Sequence, residues 1–381
     1  MFKINYELSF IGFIYDLITL FTIIIVLLYL LKKNKISEIH FILLALFCTT
    51  PLFFNNILFD WTTFPDQSKY STIAAEFRGG EIRYNFLLES MKNVVAASYI
   101  FAFFPVLSFQ SINTIAFINK ALVVFLFIFF KDKKTSKFFL YSLLFFPSIL
   151  VYSSLSLRDI LIVFFMLLGA YYFFEKKYEK FLISIIFLYL IKPQNAYYAF
   201  ATLAAFKFLF DFKVIRIKYI VVFLSLCLLG YYGEQIISVV NGLRQGFVAE
   251  LNAFHEVFHP QFNNELLLSF EFKSIYIAIQ SYLKTFLYPL SDDLVISRSV
   301  FFLDNVIYSL LFFLNCILLF KKNKSNVIFW FSLYLIIITL LSVIAINEMT
   351  HLRYKMPWVI FFIFCLDYTS KNKNSDSKIP K

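Results

Sequence analysis

Apolar runs of roughly 15–22 residues recur along this chain, and most end at a short lysine-rich cluster. That length matches the ~30 Å of hydrocarbon a helix must cross in a bilayer. Backbone polar groups in hydrocarbon find no water, so each spanning segment must satisfy its own, and a helix does so. Hydrophobic residues fill 60% of the 381 positions, whereas soluble domains stay near half. The pattern predicts an all-α fold, a polytopic transmembrane helical bundle.

The net charge of +11 would suggest nucleic acid in a soluble chain. Here the positive charge sits between apolar runs, as the positive-inside rule requires, so no nucleic-acid partner is expected. The clusters are "KKNK" (32–35), "KDKKTSK" (131–137), "EKKYEK" (175–180), "DFKVIRIK" (211–218), "KKNK" (321–324) and the tail from 371. All are assigned to the cytoplasm. The apolar segments between them are 11–31, 39–59, 111–130, 138–153, 159–174, 181–192, 195–210, 218–233, 299–320, 327–346 and 356–369. They make about eleven crossings, with the N-terminus outside and the C-terminus inside.

Segments 94–109, with Pro105, and 274–290, with Lys284 and Pro289, fit no simple crossing. Both read as re-entrant or interface-lying helices; alternatively 94–109 crosses and the N-terminus lies inside. One integral membrane domain then covers 1–381. It carries a first outer (periplasmic) loop at 60–93, a large outer loop with interfacial helices at 234–298, and a cytoplasmic tail at 370–381. The first apolar run is too long for a signal-peptide core and lacks a cleavage-like site, so it reads as a retained span.

Several function classes are disfavoured. With eight glycines and no glycine-rich phosphate loop, the chain resembles neither an ATP-driven machine nor a nucleotide-sugar enzyme with a soluble catalytic domain. Cys48, Cys227, Cys316 and Cys365 lie far apart in apolar runs and read as small buried hydrophobes. His255 and His259 in "HEVFHP" are one helical turn apart, but Pro260 follows and no third ligand is evident. No metal and no cofactor is expected. Asp16, Lys120, Lys207 and Asp304 are ionisable residues within spans, mostly near predicted ends, and no internal repeat is seen. A transporter would show the opposite on both counts.

The outer face carries the residues suited to chemistry. In "YSSLSLRDILIVFF" Arg158 and Asp159 open the span 159–174, and Ser156 could cap it. Two readings stand for Arg158. One is an interfacial arginine that snorkels, with Asp159 capping or pairing with it. The other is an inward-facing cation that binds phosphate or carboxylate beside a helix N-terminus. Lys192 and Gln194 in "IKPQNAYYAF" break the next apolar run on the same side, either as a capped hairpin or as partners of Arg158. Arg244 stands between glycines in "NGLRQGF". His351, Arg353 and Lys355 in "HLRYKMPW" put basic residues in a last outer loop that should be poor in them. Arg forks match phosphate oxygens and Lys adds a point charge, so a membrane-surface diphosphate suits this set. Asp60, Asp66 and Glu76 are the acids of the first loop. Asp66 precedes a helix start, so it reads either as a cap or as a general base.

The series Asp66…Tyr70, "PSILVYSSLSLRD" (147–159), "IKPQNAYYAF" (191–200), "LRQG" and "HLRYKMPW" resembles the Wzy-type O-antigen and surface polysaccharide polymerases. These are related to multi-span glycosyltransferases of the GT-C kind. Where relatives often carry Arg-Pro, this chain has Lys192-Pro193, which keeps the charge and loses the fork. The resemblance implies a metal-independent enzyme of the bacterial inner membrane. It would polymerise undecaprenyl-diphosphate-linked oligosaccharide repeat units for lipopolysaccharide or capsule, working with a flippase and a chain-length regulator. Arg158, Lys192, Arg244, Arg353 and Lys355 would hold the diphosphate, supported by Asp159, Gln194 and Asp60. Asp66 or His351 would activate the acceptor hydroxyl. A transferase using a polyprenyl-phosphate sugar donor, a glycan ligase, and a lipid-linked oligosaccharide flippase are the alternatives.

Overall fold

The computed structural model describes residues 10–55, 57–58, 66–80, 92–109, 111–133, 135–211, 235, 238, 241–242, 245, 306–307, 310, 312–320, 324–344 and 348–376. The fold is helical. In chain order the helices are α1 (Phe10–Lys32), α2 (Glu38–Thr49), α3 (Pro51–Phe54), α4 (Asp66–Arg78), α5 (Lys92–Ala102), α6 (Thr114–Lys131), α7 (Lys137–Phe145), α8 (Pro147–Ser153), α9 (Asp159–Phe174), α10 (Tyr178–Ile191), α11 (Pro193–Asp211), α12 (Lys324–Ile344) and α13 (Glu348–Asp376). Residues 312–320 are also helical. Among the described residues, α1 and α6 are long and apolar enough to cross a membrane. Glu38–Phe54, Asp159–Phe174 and Lys324–Ile338 are apolar but shorter.

Two expected spans are divided. Segment 138–153 breaks into α7 and α8 at Phe146, because Pro147 has no N–H and pushes its predecessor out of the helical region. Phe146 accordingly sits at φ −67°, ψ 126°, with Pro147 opening α8. Segment 39–59 divides at Pro51, more gently, since Thr50 keeps helical angles. Segment 94–109 is helical only through Ala102. The 11 residues of α5 rise only about 16 Å, short of a crossing.

The expected outer loop before the last span is corrected. Residues 348–355 are helical, and α13 runs 29 residues with Pro357 inside it. Glu, Met, Leu and Lys favour helix there, and the helix continues through Pro357 although its ring crowds the carbonyl of Arg353 and offers it no N–H. Segments 218–233 and 274–290, and most of the loop 234–298, lie outside the described residues.

The chain packs as two compact units, 1–200 with 360–381, and 201–359. In the first, Ile360–Leu366 of α13 is buried on every side, as a helix apolar all round must be. Phe130 of α6 lies against Phe139 of α7 at 5.3 Å, Phe364 of α13 at 5.0 Å and Tyr171 of α9 at 5.9 Å. Such tilted and edge-on aromatic pairs favour fixed geometry as well as burial. In the second unit, Trp330 of α12 stacks on Phe206 of α11 at 4.9 Å, and Tyr334 meets Phe312 at 4.2 Å. Cys48, Cys316 and Cys365 are buried and free; Cys227 lies outside the described residues.

The first unit has two distinct ends. At one, Lys131 Nζ donates to the carbonyl of Lys35 at 2.6 Å. The N–H of Ser136 donates to the Asp367 carboxylate, and the Tyr368 hydroxyl donates to Glu175. Three basic clusters, 32–35, 131–137 and 175–180, therefore gather together. The hairpin of α9 and α10 turns here on Lys176 at φ 58°. The N–H of Lys177 closes that turn on Tyr172 O at 2.9 Å. At the other end lie the starts of α6 and α9 and the end of α10.

Candidate functional site

The break between α8 and α9, residues 154–158, forms the centre of that second end. Ser154, Leu155, Ser156 and Leu157 are buried although they are not helical. Buried irregular backbone survives only where side chains satisfy its polar groups. Asn119 of α6 does most of this, its Nδ2 donating to the carbonyls of Leu155 at 2.9 Å and Leu157 at 2.8 Å. Gln67 of α4 accepts from the N–H of Ser156 at 2.8 Å. Thr50 and Ser154 share a hydroxyl–hydroxyl bond of 2.7 Å.

This corrects the reading of Ser156 as a cap for the helix that Arg158 and Asp159 open. Ser156 Oγ instead donates to Ile112 O and accepts from the N–H of Ala116 at 3.2 Å. Arg158 itself occupies the N-cap position of α9 and makes no capping bond. Ser156 is thus consumed by the start of α6, which it meets only in the folded chain, while Ser154 is taken by Thr50 and Leu150 O.

From Gln67 a polar chain leads away through the interior. Gln67 Nε2 donates to Asn55 Oδ1 at 3.1 Å, and Asn55 Nδ2 donates back to Gln67 Oε1 at 3.1 Å. Asn55 Nδ2 also donates to Asn113 Oδ1 at 2.8 Å. Asn113 Nδ2 and Ser111 Oγ both donate to Asp16 Oδ2, at 3.0 and 2.8 Å. Asp16 Oδ1 is buried without a bond. Asp16 and Lys120, read from the sequence as ionisable residues within spans, are both buried within helices. Residues of α1, the chain after α3, α4 and the approach to α6 are thereby tied to the loop that carries Arg158. Sequence reading missed Asn55, Gln67, Asn113 and Asn119. For Asn55, Asn113 and Asn119 the one available signal was an amide next to an apolar residue; Gln67, between Asp66 and Ser68, carried none.

Arg158 reaches across to the next break. Its Nη1 donates to Ile191 O at 3.1 Å, a carbonyl at the C-terminal end of α10, where helices leave acceptors unmet. Lys192 follows, buried and extended at φ −155°, ψ 91°, because Pro193 opens α11. The structure thus brings Arg158 to the Lys192 break. Arg158 Nε is buried and makes no hydrogen bond. Asp159 is buried at the first turn of α9. Gln194 is exposed, while its neighbour Asn195 is buried with Nδ2 3.8 Å from Met166 Sδ.

Asp66 opens α4, as expected, and pairs with Lys69 at 3.1 Å, its side chain 38% exposed. The side chain of this helix that enters the buried loop is Gln67, not Asp66. His351, Arg353 and Lys355 belong to the second unit; Arg353 is half-buried and Lys355 buried. Asp60, Arg244, His255 and His259 lie outside the described residues, as does the His351 side chain. Among the described residues, no group of three or more His, Cys, Asp or Glu is placed to hold a metal. Compared with protein-family models, with curated proteins and with solved structures, the chain finds no match.

Proposed function

We propose that the chain is a multi-pass protein of the bacterial inner membrane and a metal-independent glycosyltransferase of the polysaccharide-polymerase kind. Its substrate is an undecaprenyl-diphosphate-linked oligosaccharide. The observation that carries this reading is the state of Arg158. It stands at a buried helix break next to Lys192, at the end of the first unit away from the lysine clusters, with a buried N–H still unbonded. Buried donors seldom go unmet, and a guanidinium fork is matched by phosphate oxygens.

The acceptor hydroxyl attacks the anomeric carbon of the growing chain, and the bond from that carbon to the diphosphate oxygen breaks. Arg158 and Lys192 receive the negative charge that develops on the leaving diphosphate. The hydroxyl proton passes to Asp66 or His351. Asp66 is supported by its place, one residue before Gln67, which is bonded to the Arg158 loop. Asp159 and Gln194, close to Arg158 and Lys192 in the chain, support them. A flippase would deliver the repeat units and a chain-length regulator would set the product.

The test is a surface-polysaccharide gel of cells lacking the protein, rescued with wild type or Arg158→Ala at equal protein level. Loss of the protein should collapse the ladder to core plus a single repeat, and Arg158→Ala should fail to restore it. Core with no repeat at all would instead indicate a single-sugar transferase, a ligase or a flippase. A restored ladder would remove Arg158 from the mechanism.

A further inference from the structure

Between α1 and α6 runs an apolar groove of about 680 Å³. Val26 and Leu27 of α1, Ala121 and Phe125 of α6, and residues 104–107 line it. Its two hydroxyls are already used: Thr19 Oγ1 donates to Tyr15 O at 2.9 Å and Thr22 Oγ1 to Ile18 O at 2.8 Å. Among the described residues, no buried side-chain polar atom along the walls lacks a bond, so the slot suits a hydrocarbon.

One end of the groove opens among charges. Lys35, Asp132 and Lys133 line it, and both lysines are exposed. The Lys133 ammonium lies over the rings of Phe129 at 5.2 Å and Tyr171 at 5.6 Å. Lys131 is spent on the carbonyl of Lys35, which ties the two helix ends together at the mouth. The mouth therefore carries a net positive charge over an apolar slot. Along α1 the lining from Ile18 to Leu30 corresponds to about 18 Å of helix rise, room for most of one extended acyl chain.

We infer that this groove is a binding site for an anionic phospholipid, with one acyl chain between α1 and α6 and the phosphate between Lys35 and Lys133. A basic mouth on an interhelical slot is the arrangement that selects acidic headgroups, and an acyl chain gains free energy with each methylene it buries. The inference rests on the membrane part of the proposed function and not on the transferase part.

The experiment is native mass spectrometry of the full chain in mild detergent, given equimolar palmitoyl-oleoyl phosphatidylglycerol and phosphatidylcholine. Two lysines against one aspartate leave about one net charge, so phosphatidylglycerol should be retained by about fivefold over phosphatidylcholine. Lys35→Gln with Lys133→Gln should equalise the two lipids. Val26→Trp, at a half-exposed wall position, should reduce retention of both, and Ala121→Phe should do the same from the opposite wall. Equal retention by wild type would overturn the headgroup site, and undiminished binding in both groove-filling variants would overturn the groove. The readout is lipid mass, so failure here leaves the transferase reading standing, and a failed polysaccharide gel leaves this one standing.

Discussion

Two cations of the first unit, the buried Lys120 and the half-buried Arg158, are held in opposite ways. Lys120 of α6 is fully buried. Its Nζ donates to Ser153 Oγ at 2.7 Å and to Leu150 O at 3.3 Å, and it sits 3.7 Å from the centre of the Phe47 ring. Hydroxyl, carbonyl and aromatic face together enclose the ammonium. Arg158 has five donors in a rigid fork, makes one bond to Ile191 O, and keeps Nε buried and unbonded. A buried charge is expensive unless it is matched. Lys120 has met that demand within the protein, while Arg158 has met only part of it. The enclosed cation is therefore read as structural and the partly matched one as the anion site.

Mutations at the two cations should diverge in kind as well as in size. Replacing Arg158 with Ala should reduce polysaccharide synthesis by roughly 100- to 1,000-fold, the usual consequence of losing a group that stabilises developing charge. The protein's melting temperature in detergent should hardly move. A large melting shift with the ladder intact would make Arg158 another structural cation. Asn119→Leu should act through stability instead. It leaves Leu157 O without its partner, at a cost of about 1–3 kcal/mol, measurable by denaturant titration in micelles. Leu155 O still accepts from the N–H of Leu157 at 2.9 Å, which limits the loss.

Lys120→Met should be milder still, with a change under about 1.5 kcal/mol and the ladder preserved. Leu150 O keeps the Ser154 hydroxyl at 2.6 Å, so no carbonyl is orphaned. A collapsed ladder at normal stability would erase the contrast and give Lys120 a functional role. The smallest stability effect belongs to the exposed pair Asp66–Lys69. Lys69→Ala should change stability by about 0–1 kcal/mol and leave the ladder alone. Asp66→Asn should be as mild in stability but should lose the ladder if Asp66 is the base; an intact ladder would pass that role to His351.

Much of the helical layout was legible in the chain. Hydrophobic runs end where lysines, prolines and turn residues begin, so α9 covers the expected 159–174 and α1 and α6 start and stop close to their expected limits. The breaks at Pro51 and Pro147 fell inside runs that read as continuous, because composition alone does not register one missing N–H. The loop before the last span was misjudged for the converse reason: charged residues marked a loop, yet their helix propensity prevailed. That Arg158 and Lys192 share a side was part of the sequence reading. The chain from Asp16 through Asn113, Asn55 and Gln67 to Ser156 was not, since single amides and hydroxyls many residues apart carry no local signature.

The sequence by itself determined where helices run, because apolar length and breaking residues act within a few positions of the chain. It also determined which ends are basic, since the lysines are consecutive. Only the tertiary structure decided that Lys120 is enclosed and that Arg158 keeps a buried N–H unbonded. That outcome depends on Ser153 and Phe47 meeting Lys120, and on Arg158 reaching Ile191 with one arm alone. Hydrogen bonds reach about 3 Å, so they answer to packing and not to order in the chain.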